Sequence, residues 1–477
     1  MEKNIEYDII YRGLNMNREK VFNEIGSLIG YDKVSISFSD LLIYSHDYSP
    51  INLHKILNLK LDTIPLIVIW PETIEDIVKI TNYCYENNIP MYPYGGGSGV
   101  LNGFMPKNGV VVDLKRINYI ELNEEDLMVT VGAGVNGMIL EKYLNYKGYT
   151  LGHIPQSLPE STVGGWVATK ATGQFSTKYG GIEDMLMGLK IVVPPGKILE
   201  MKSYPRTATG PDLRKLFIGS EGIFGIIVEA TFKINLHPEK RIMISYLTPS
   251  FKDGLENVRN ILRKNIRPAV IRIYDKIETL RHFYWIDNVK GKSITIFIVE
   301  GEKDLAETEA RVIRKMFRGE EIGDKPVKHW LKTRFIVKEA SEYAPLGFVF
   351  DTIEVAISWS KISSLYDRVI DTMKNVEGTL VASAHASHFY PQGACLYFTF
   401  GGLPPRNMDP YKYHREVWSR VMNTVLKYGG TISHHHGIGR MRSPWLKGEL
   451  SSNVYELLLK IKRLIDDKNI MNPGNMV

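Results

Sequence analysis

Cysteine is almost missing from this chain: Cys84 and Cys395 are the only two in 477 residues. That excludes a disulfide framework and a cysteine zinc site, and it suits a reducing cytoplasm. Each thiol reads as a buried small hydrophobe rather than a catalyst. Long hydrophobic runs are missing too. The most apolar stretch, Ile64 to Trp70, is far too short to span a bilayer, and the charged start MEKNIEYD lacks the apolar core of a signal peptide. The expectation is a soluble, cytoplasmic protein. Nor is there an excess of charge: 59 Lys and Arg against 53 Asp and Glu give +6, scattered rather than gathered into runs. Nucleic acid is therefore a poor partner and a small anionic molecule a better one. No repeat or low-complexity tract stands out.

At this length the chain exceeds what one hydrophobic core usually serves, so two or three domains are expected. Residues 1 to 58 read as an N-terminal arm with a helix-like segment, followed by the irregular stretch SHDYSPINLHKIL. From Pro65 the pattern becomes strand, helix opening near Pro71 and Thr73, then a strand entering a glycine turn. Strands follow at GVVVDL, MVTVGAGV, GLKIVVPPG and FGIIVEATFKINL, which close a first domain over 59 to 237. Residues 238 to 430 alternate strands such as RIMISYL, SITIFIVEG and ACLYFTFGG with helices such as KDLAETEARVIRKMF, and form a substrate or cap domain. Residues 431 to 477 carry ISHHHGIGRMRSPWL and an amphipathic helix around VYELLLKIKRLID. The fold class is α+β.

Three clusters carry the chemistry. PYGGGSG, directly after a strand, lets consecutive backbone amides approach an anion. It lacks the Gly-Lys-Ser/Thr ending of a P-loop and the helix-opening GxGxxG of a dinucleotide fold. A flexible glycine turn is the plain alternative. PQSLPESTVGGWVATKATG is dense in Ser, Thr and Gly and suits a backbone wrapped around a flat ligand. LFIGSEGIFGIIVEATFKI again brings glycines to a strand start.

The triple His434, His435 and His436 is the best candidate for acid–base work, because imidazole titrates near neutrality. A metal site competes with that reading, as does an ordinary surface strand. Read as an extended strand, adjacent histidines point to opposite faces, so only His434 and His436 could share one ligand sphere.

The three clusters, in this order and over roughly residues 60 to 477, resemble the FAD-linked oxidases of the vanillyl-alcohol-oxidase type. STVGGWVATKATG, PRTATGPD, SHFYPQGACLYFTF and ISHHHGIGRMRSPWL look specifically like alkylglycerone-phosphate synthases and their prokaryotic relatives. The resemblance implies a PCMH-type FAD-binding domain of two subdomains, joined to an α/β cap of the FAD-linked oxidase C-terminal kind. It implies FAD contacts from Pro93, Tyr94, Gly95, Gly96, Gly97, Ser98 and Gly99; from Gln156, Ser157, Leu158, Pro159, Glu160, Ser161 and Thr162; from Thr169, Lys170, Ala171 and Thr172; and from Gly219, Ser220, Glu221, Gly222, Ile223, Phe224 and Gly225. The glycine cradle has no His or Cys, so the FAD is expected to be noncovalent.

The resemblance further implies that His435 faces the flavin with Tyr397 as its partner acid or base, and that Arg272 receives a phosphate or carboxylate. The D-lactate and D-2-hydroxyglutarate dehydrogenases resemble a different pattern, with metal ligands where this chain has Tyr397 and His435; no metal is expected here. His385 reads as structural or supporting. A further arginine of the synthases counts back to Ala340, beside Ser341, which leaves Arg334 or Lys338 to supply that charge.

The expected function is an FAD-dependent oxidoreductase acting through flavin N5 on a small hydroxy or keto compound bearing phosphate or carboxylate. The alternatives are a D-2-hydroxy-acid or glycerol-phosphate dehydrogenase passing electrons to a quinone or other acceptor, and a non-catalytic electron-transfer subunit. A homodimer with peripheral membrane contact is expected.

Overall fold

In a computed structural model, residues 18–58 and 60–477 are described. The first 17 residues of the expected arm lie outside them. The rest of the arm is more regular than its sequence suggests: after the helix Arg18–Ile29, the supposedly irregular stretch contains the helix Pro50–Leu57. Pro50 occupies the first turn, where a missing N–H costs nothing and φ is already helical, and that signal went unread.

Four strands form the first sheet, in the order Val34–Ser35, Ile67–Ile69, Val110–Asp113 and Met91–Tyr94. The last three run parallel and the two central ones are wholly buried, as parallel strands covered on both faces must be. The connecting helix Ile74–Glu86 opens on a capping box between Thr73 and Asp76.

A second sheet of five antiparallel strands follows, in the order Ile120–Asn123, Met128–Gly132, Ile226–Lys233, Leu186–Val193 and Lys197–Met201. The third has seven strands, ordered Glu320–Glu321, Lys240–Thr248, Ser293–Gly301, Val270–Tyr274, Thr379–Tyr390, Gly393–Gly402 and Val349–Ser358. Helices including Phe251–Leu262, Lys303–Met316 and Trp359–Lys374 supply a separate core that packs on it. The chain then returns to the first sheet. Met471 bridges Met91, and the Asn472 amide donates to the Met91 carbonyl at 2.8 Å.

Register across the large sheet positions the chemistry. Tyr274 pairs with His385, His385 with Tyr397, and Tyr397 with Glu354, so these side chains line up on one face across adjacent strands. Arg272, two residues from Tyr274 along its strand, shares that face.

Candidate active site

Arg272 Nη2 donates to His385 Nε2 at 2.6 Å, and its Nε donates to the Tyr274 hydroxyl at 2.9 Å. Accepting at Nε2 leaves the His385 proton on Nδ1, which is buried without a partner. Burial and the adjacent Arg272 hold His385 well below the usual imidazole range. The Tyr397 ring stacks on His385 with centroids 4.7 Å apart. His385 is thus in contact with both Arg272 and Tyr397, in a supporting position.

The three consecutive histidines are not on a strand. They occupy a bent loop between Thr431, which bridges Ala356, and the helix Gly439–Leu450. His434 and His435 therefore meet, Nδ1 to Nδ1 at 2.9 Å, instead of pointing to opposite faces. Tyr397 is nearer His436, whose Nε2 lies 3.3 Å from the phenol oxygen, while the Tyr397 and His435 ring centroids are 6.1 Å apart.

Two carboxylates, the fully buried Glu354 and the half-buried Glu221, impose this bend. Glu354 accepts the backbone N–H groups of His434, His435 and His436 at 2.5, 3.3 and 3.0 Å. Arg442 Nη1 donates to the same carboxylate at 2.6 Å. Burial alone would raise the Glu354 carboxyl, but Arg442 and His436 bring it down to about 2. Glu221 takes the next turn, accepting the amides of Ile438 at 2.5 Å and Gly439 at 2.9 Å. Gly437 has φ +86, and a Cβ there would lie 2.5 Å from Glu221 Oε1, so only glycine fits between the two carboxylates.

His388 joins from the opposite strand at a bulge, with φ +50, an uncommon conformation for a non-glycine residue. Its Nδ1 is 2.8 Å from Ser176 Oγ in the first half of the chain, and its ring stacks on His434 at 5.0 Å. His434 Nε2 is in turn 2.8 Å from the Tyr390 hydroxyl. Burial depresses these histidines, His434 to about 4 and His388 and His435 well below the ordinary range. Burial pushes the Tyr397 phenol up. At neutral pH the site therefore holds neutral imidazoles beside a protonated phenol.

The expected cofactor stretches converge. A Cβ on Gly95 would fall 2.1 Å from Thr162 Oγ1, and one on Gly96 would fall 2.0 Å from the Glu160 carbonyl, so the loops at 93 to 99 and 156 to 162 press together. Gly222 meets Pro93, and Gly219, whose amide donates to Val167, meets Lys170. Thr162 Oγ1 is buried without a partner where these loops join. A cradle with no room for a Cβ and an orphaned hydroxyl fits the pyrophosphate and polar ring edge of FAD.

Sequence reasoning missed the residues that shape the site. Asp47, from the arm, accepts the Ser49 and Gly103 amides at 3.1 and 3.0 Å, and Tyr48 N donates to the Gly97 carbonyl at 3.3 Å, so the arm straps the glycine loop. Glu354 carried no motif, although acids in the apolar strand VFDTIEVAIS were a readable sign, and Arg442 lies within ISHHHGIGRMRSPWL without having been singled out. Of the proposed replacements for the missing cation, Lys338 pairs with Glu342 at 3.0 Å and its side chain is 62% exposed. Arg334 is instead turned inward, over Trp330 and Phe335. Glu354, Cys395, His434 and His435 bring potential metal-ligand atoms within 4.8 Å of one another, but the Glu354 oxygens are already taken by Arg442 and backbone amides.

Residues 65–202 match the family model of an FAD binding domain, and residues 237–476 match that of the C-terminal domain of FAD linked oxidases. The chain is similar to an uncharacterised FAD-linked oxidoreductase of Escherichia coli, 30% identical over 97% of this chain and 99% of that one. It is also similar to the alkyldihydroxyacetonephosphate synthase of Caenorhabditis elegans, 30% identical over 93% of this chain and 81% of that one. A solved alkyldihydroxyacetonephosphate synthase structure superposes with TM-score 0.80 over 96% of this chain and 85% of that one, at 24% identity, and shares the fold.

Proposed function

The chain belongs to the FAD-linked oxidases and is an FAD-dependent oxidoreductase; from that premise we propose that it acts on a small hydroxy or keto compound bearing a phosphate or carboxylate, with the FAD held noncovalently. The observation that carries this reading is the row Arg272, His385, Tyr397, with His436 at 3.3 Å from the phenol, which sets a cation beside proton-moving groups on one sheet face.

Bound FAD supplies the two-electron acceptor. The chain's own residues do the rest. Tyr397, protonated at neutral pH, donates a hydrogen bond to the substrate oxygen. His435, neutral, accepts the proton released there. Arg272 keeps Nη1 for the substrate anion while Nη2 and Nε fix its plane. His385 orients both Arg272 and Tyr397. Glu354 and Glu221 hold the histidine loop so that His435 cannot swing away.

Residues 59 to 237 serve the cofactor in this reading, residues 238 to 430 cap the substrate, and residues 431 to 477 return the histidines to the site. Pro93 to Gly99, Gln156 to Thr162, Thr169 to Thr172 and Gly219 to Gly225 line the FAD, and none of them offers a His or Cys to tether it. Among the described residues no helix is long and apolar enough to cross a membrane. Val454, Leu457 and Leu464, exposed on the helix Ser452–Ile465, support a homodimer or peripheral membrane contact of a cytoplasmic protein, with a quinone or similar acceptor downstream.

A second reading, metal-assisted oxidation of a D-2-hydroxy acid, is favoured by the donor atoms gathered from Glu354, Cys395, His434 and His435. One experiment separates the two. The yellow protein is mixed anaerobically with hydroxy acids and glycerol phosphates, with and without a divalent ion, and the flavin absorbance is followed. Bleaching without metal, slowed in His435→Ala, supports the first reading; bleaching only with metal supports the second. Free FAD in the supernatant after acid precipitation supports the noncovalent assignment.

A further inference from the structure

A cleft of about 280 Å³ lies between the first half of the chain and the edge of the seven-stranded sheet, and none of Arg272, His385, Tyr397 or the three consecutive histidines lines it. Its walls include Met138, Phe175, Arg241, Glu300, Arg334 and Phe335. Two of its charged groups are already satisfied. Glu300 is 3% exposed, receives Arg241 Nε at 2.6 Å and accepts from the Tyr179 hydroxyl at 2.8 Å. Glu141, another wall residue, accepts from Thr150, Asn145 and the Leu151 amide.

Arg334 differs. Its Nη1 donates to the Leu331 carbonyl at 3.3 Å and its Nε is buried with no partner. Among the described residues no carboxylate stands within ion-pair distance of it. The guanidinium carbon lies over Phe335 at 4.6 Å, Trp330 at 5.5 Å and Phe175 at 5.9 Å, so aromatic faces hold its plane. Burial and the neighbouring Arg241 draw it down to about 10, and the carboxylate of Glu300, already engaged by Arg241, only partly offsets them. A half-buried guanidinium with an unmade N–H and a roomy, partly apolar cleft beside it is matched by a bidentate oxyanion.

We infer that this cleft is an anion site in which Arg334 receives the phosphate or carboxylate of a small molecule, with Phe175, Phe335 and Met138 lining its carbon part. Arg272 does not line the cleft, although both guanidinium carbons stand over Trp330, at 5.6 and 5.5 Å. It does not depend on the reaction proposed above, because its readout is heat of binding rather than turnover.

The FAD-loaded protein is titrated calorimetrically with inorganic phosphate and, in a second arm, with succinate, in wild type, Arg334→Leu, Met138→Trp and Arg272→Leu. Met138→Trp fills the cleft and leaves every charge in place, so it stands in if Arg334→Leu folds poorly. The expected result is one binding component weakened by about tenfold or more in Arg334→Leu and Met138→Trp and kept within about twofold in Arg272→Leu, which removes only the separate component of anion bound at Arg272. The arm that binds more tightly names the head group. Absence of binding to either anion up to about 10 mM, or binding that only Arg272→Leu weakens, overturns the inference.

Discussion

Glu354 and Arg442 face each other at 2.6 Å, Oε1 to Nη1, and neither side chain exposes any surface. The pair is more than an ion pair, because the remaining acceptor capacity of Glu354 is spent on three successive backbone amides of the histidine loop. Arg442 also donates to the carbonyls of Glu354 and Gly437 at 3.1 Å each. One buried charge pair therefore connects the sheet, the loop that carries His435 and the helix that follows it.

Glu354→Gln should be strongly destabilising. It leaves the Arg442 charge buried without a counter-charge, a loss of about 3–5 kcal/mol for a broken buried pair. Glu354→Gln with Arg442→Met should be less destabilised than the sum of the single changes. Thermal unfolding of the four proteins checks this. Strict additivity would mean that the pair does not act as a unit.

The glycine loop gives a sharper contrast. A Cβ on Gly96 would sit 2.0 Å from the Glu160 backbone oxygen, which cannot move aside without opening the cradle, whereas one on Gly99 would stand 3.5 Å from Asp47 Oδ2, an ordinary contact. Gly96→Ala should purify nearly colourless, with FAD affinity down by about tenfold or more, while Gly99→Ala should stay yellow. The ratio of flavin to protein absorbance decides it, and equal retention in both would remove Gly96 from the cofactor site.

The elements were readable because they obey local rules. Thr73 and Asp76 write a capping box, and the strands at Val110–Asp113 and Ser293–Gly301 are apolar runs of β-branched residues. The arrangement of the histidines was not readable, because it depends on partners distant in sequence. Glu354 bends a stretch that local alternation reads as extended, and Glu221 fixes its far end from 217 residues away. His385 could be read no further than structural or supporting for the same reason. Its contacts with Arg272 and Tyr397 arise from strand register, which no single strand encodes.

Tyr397→Phe keeps the ring stacked on His385 and removes only the hydroxyl. Under the proposed roles, substrate-dependent flavin reduction should slow by about 100-fold or more with little change in substrate affinity. His435→Ala should slow it at least as much. Anaerobic stopped-flow across substrate concentrations separates rate from affinity. A Tyr397→Phe enzyme that loses affinity but not its limiting rate would make the phenol a binding group instead.

Stability should fall as the medium is acidified, and the sign follows from the histidines. His434 drops from its ordinary 6.5 to about 4 on burial, and His385, His388 and His435 shift the same way. Between those values the unfolded chain binds protons that the folded chain refuses, so their contribution is whole above about 6.5 and lost as pH falls toward 4. Asp47 acts in the opposite sense. Burial raises it from 3.8 to about 7, so its contribution is whole below 3.8 and lost as pH rises to 7. Asp47→Asn removes that opposing trend; it keeps an acceptor for only one of the Ser49 and Gly103 amides, which donate to different oxygens, so the midpoint falls at every pH while the slope reports the titration. The thermal midpoint of wild type should therefore drop between pH 7 and 5, and that of Asp47→Asn should drop more steeply. A shallower slope in Asp47→Asn would show that Asp47 stays ionised in the folded protein.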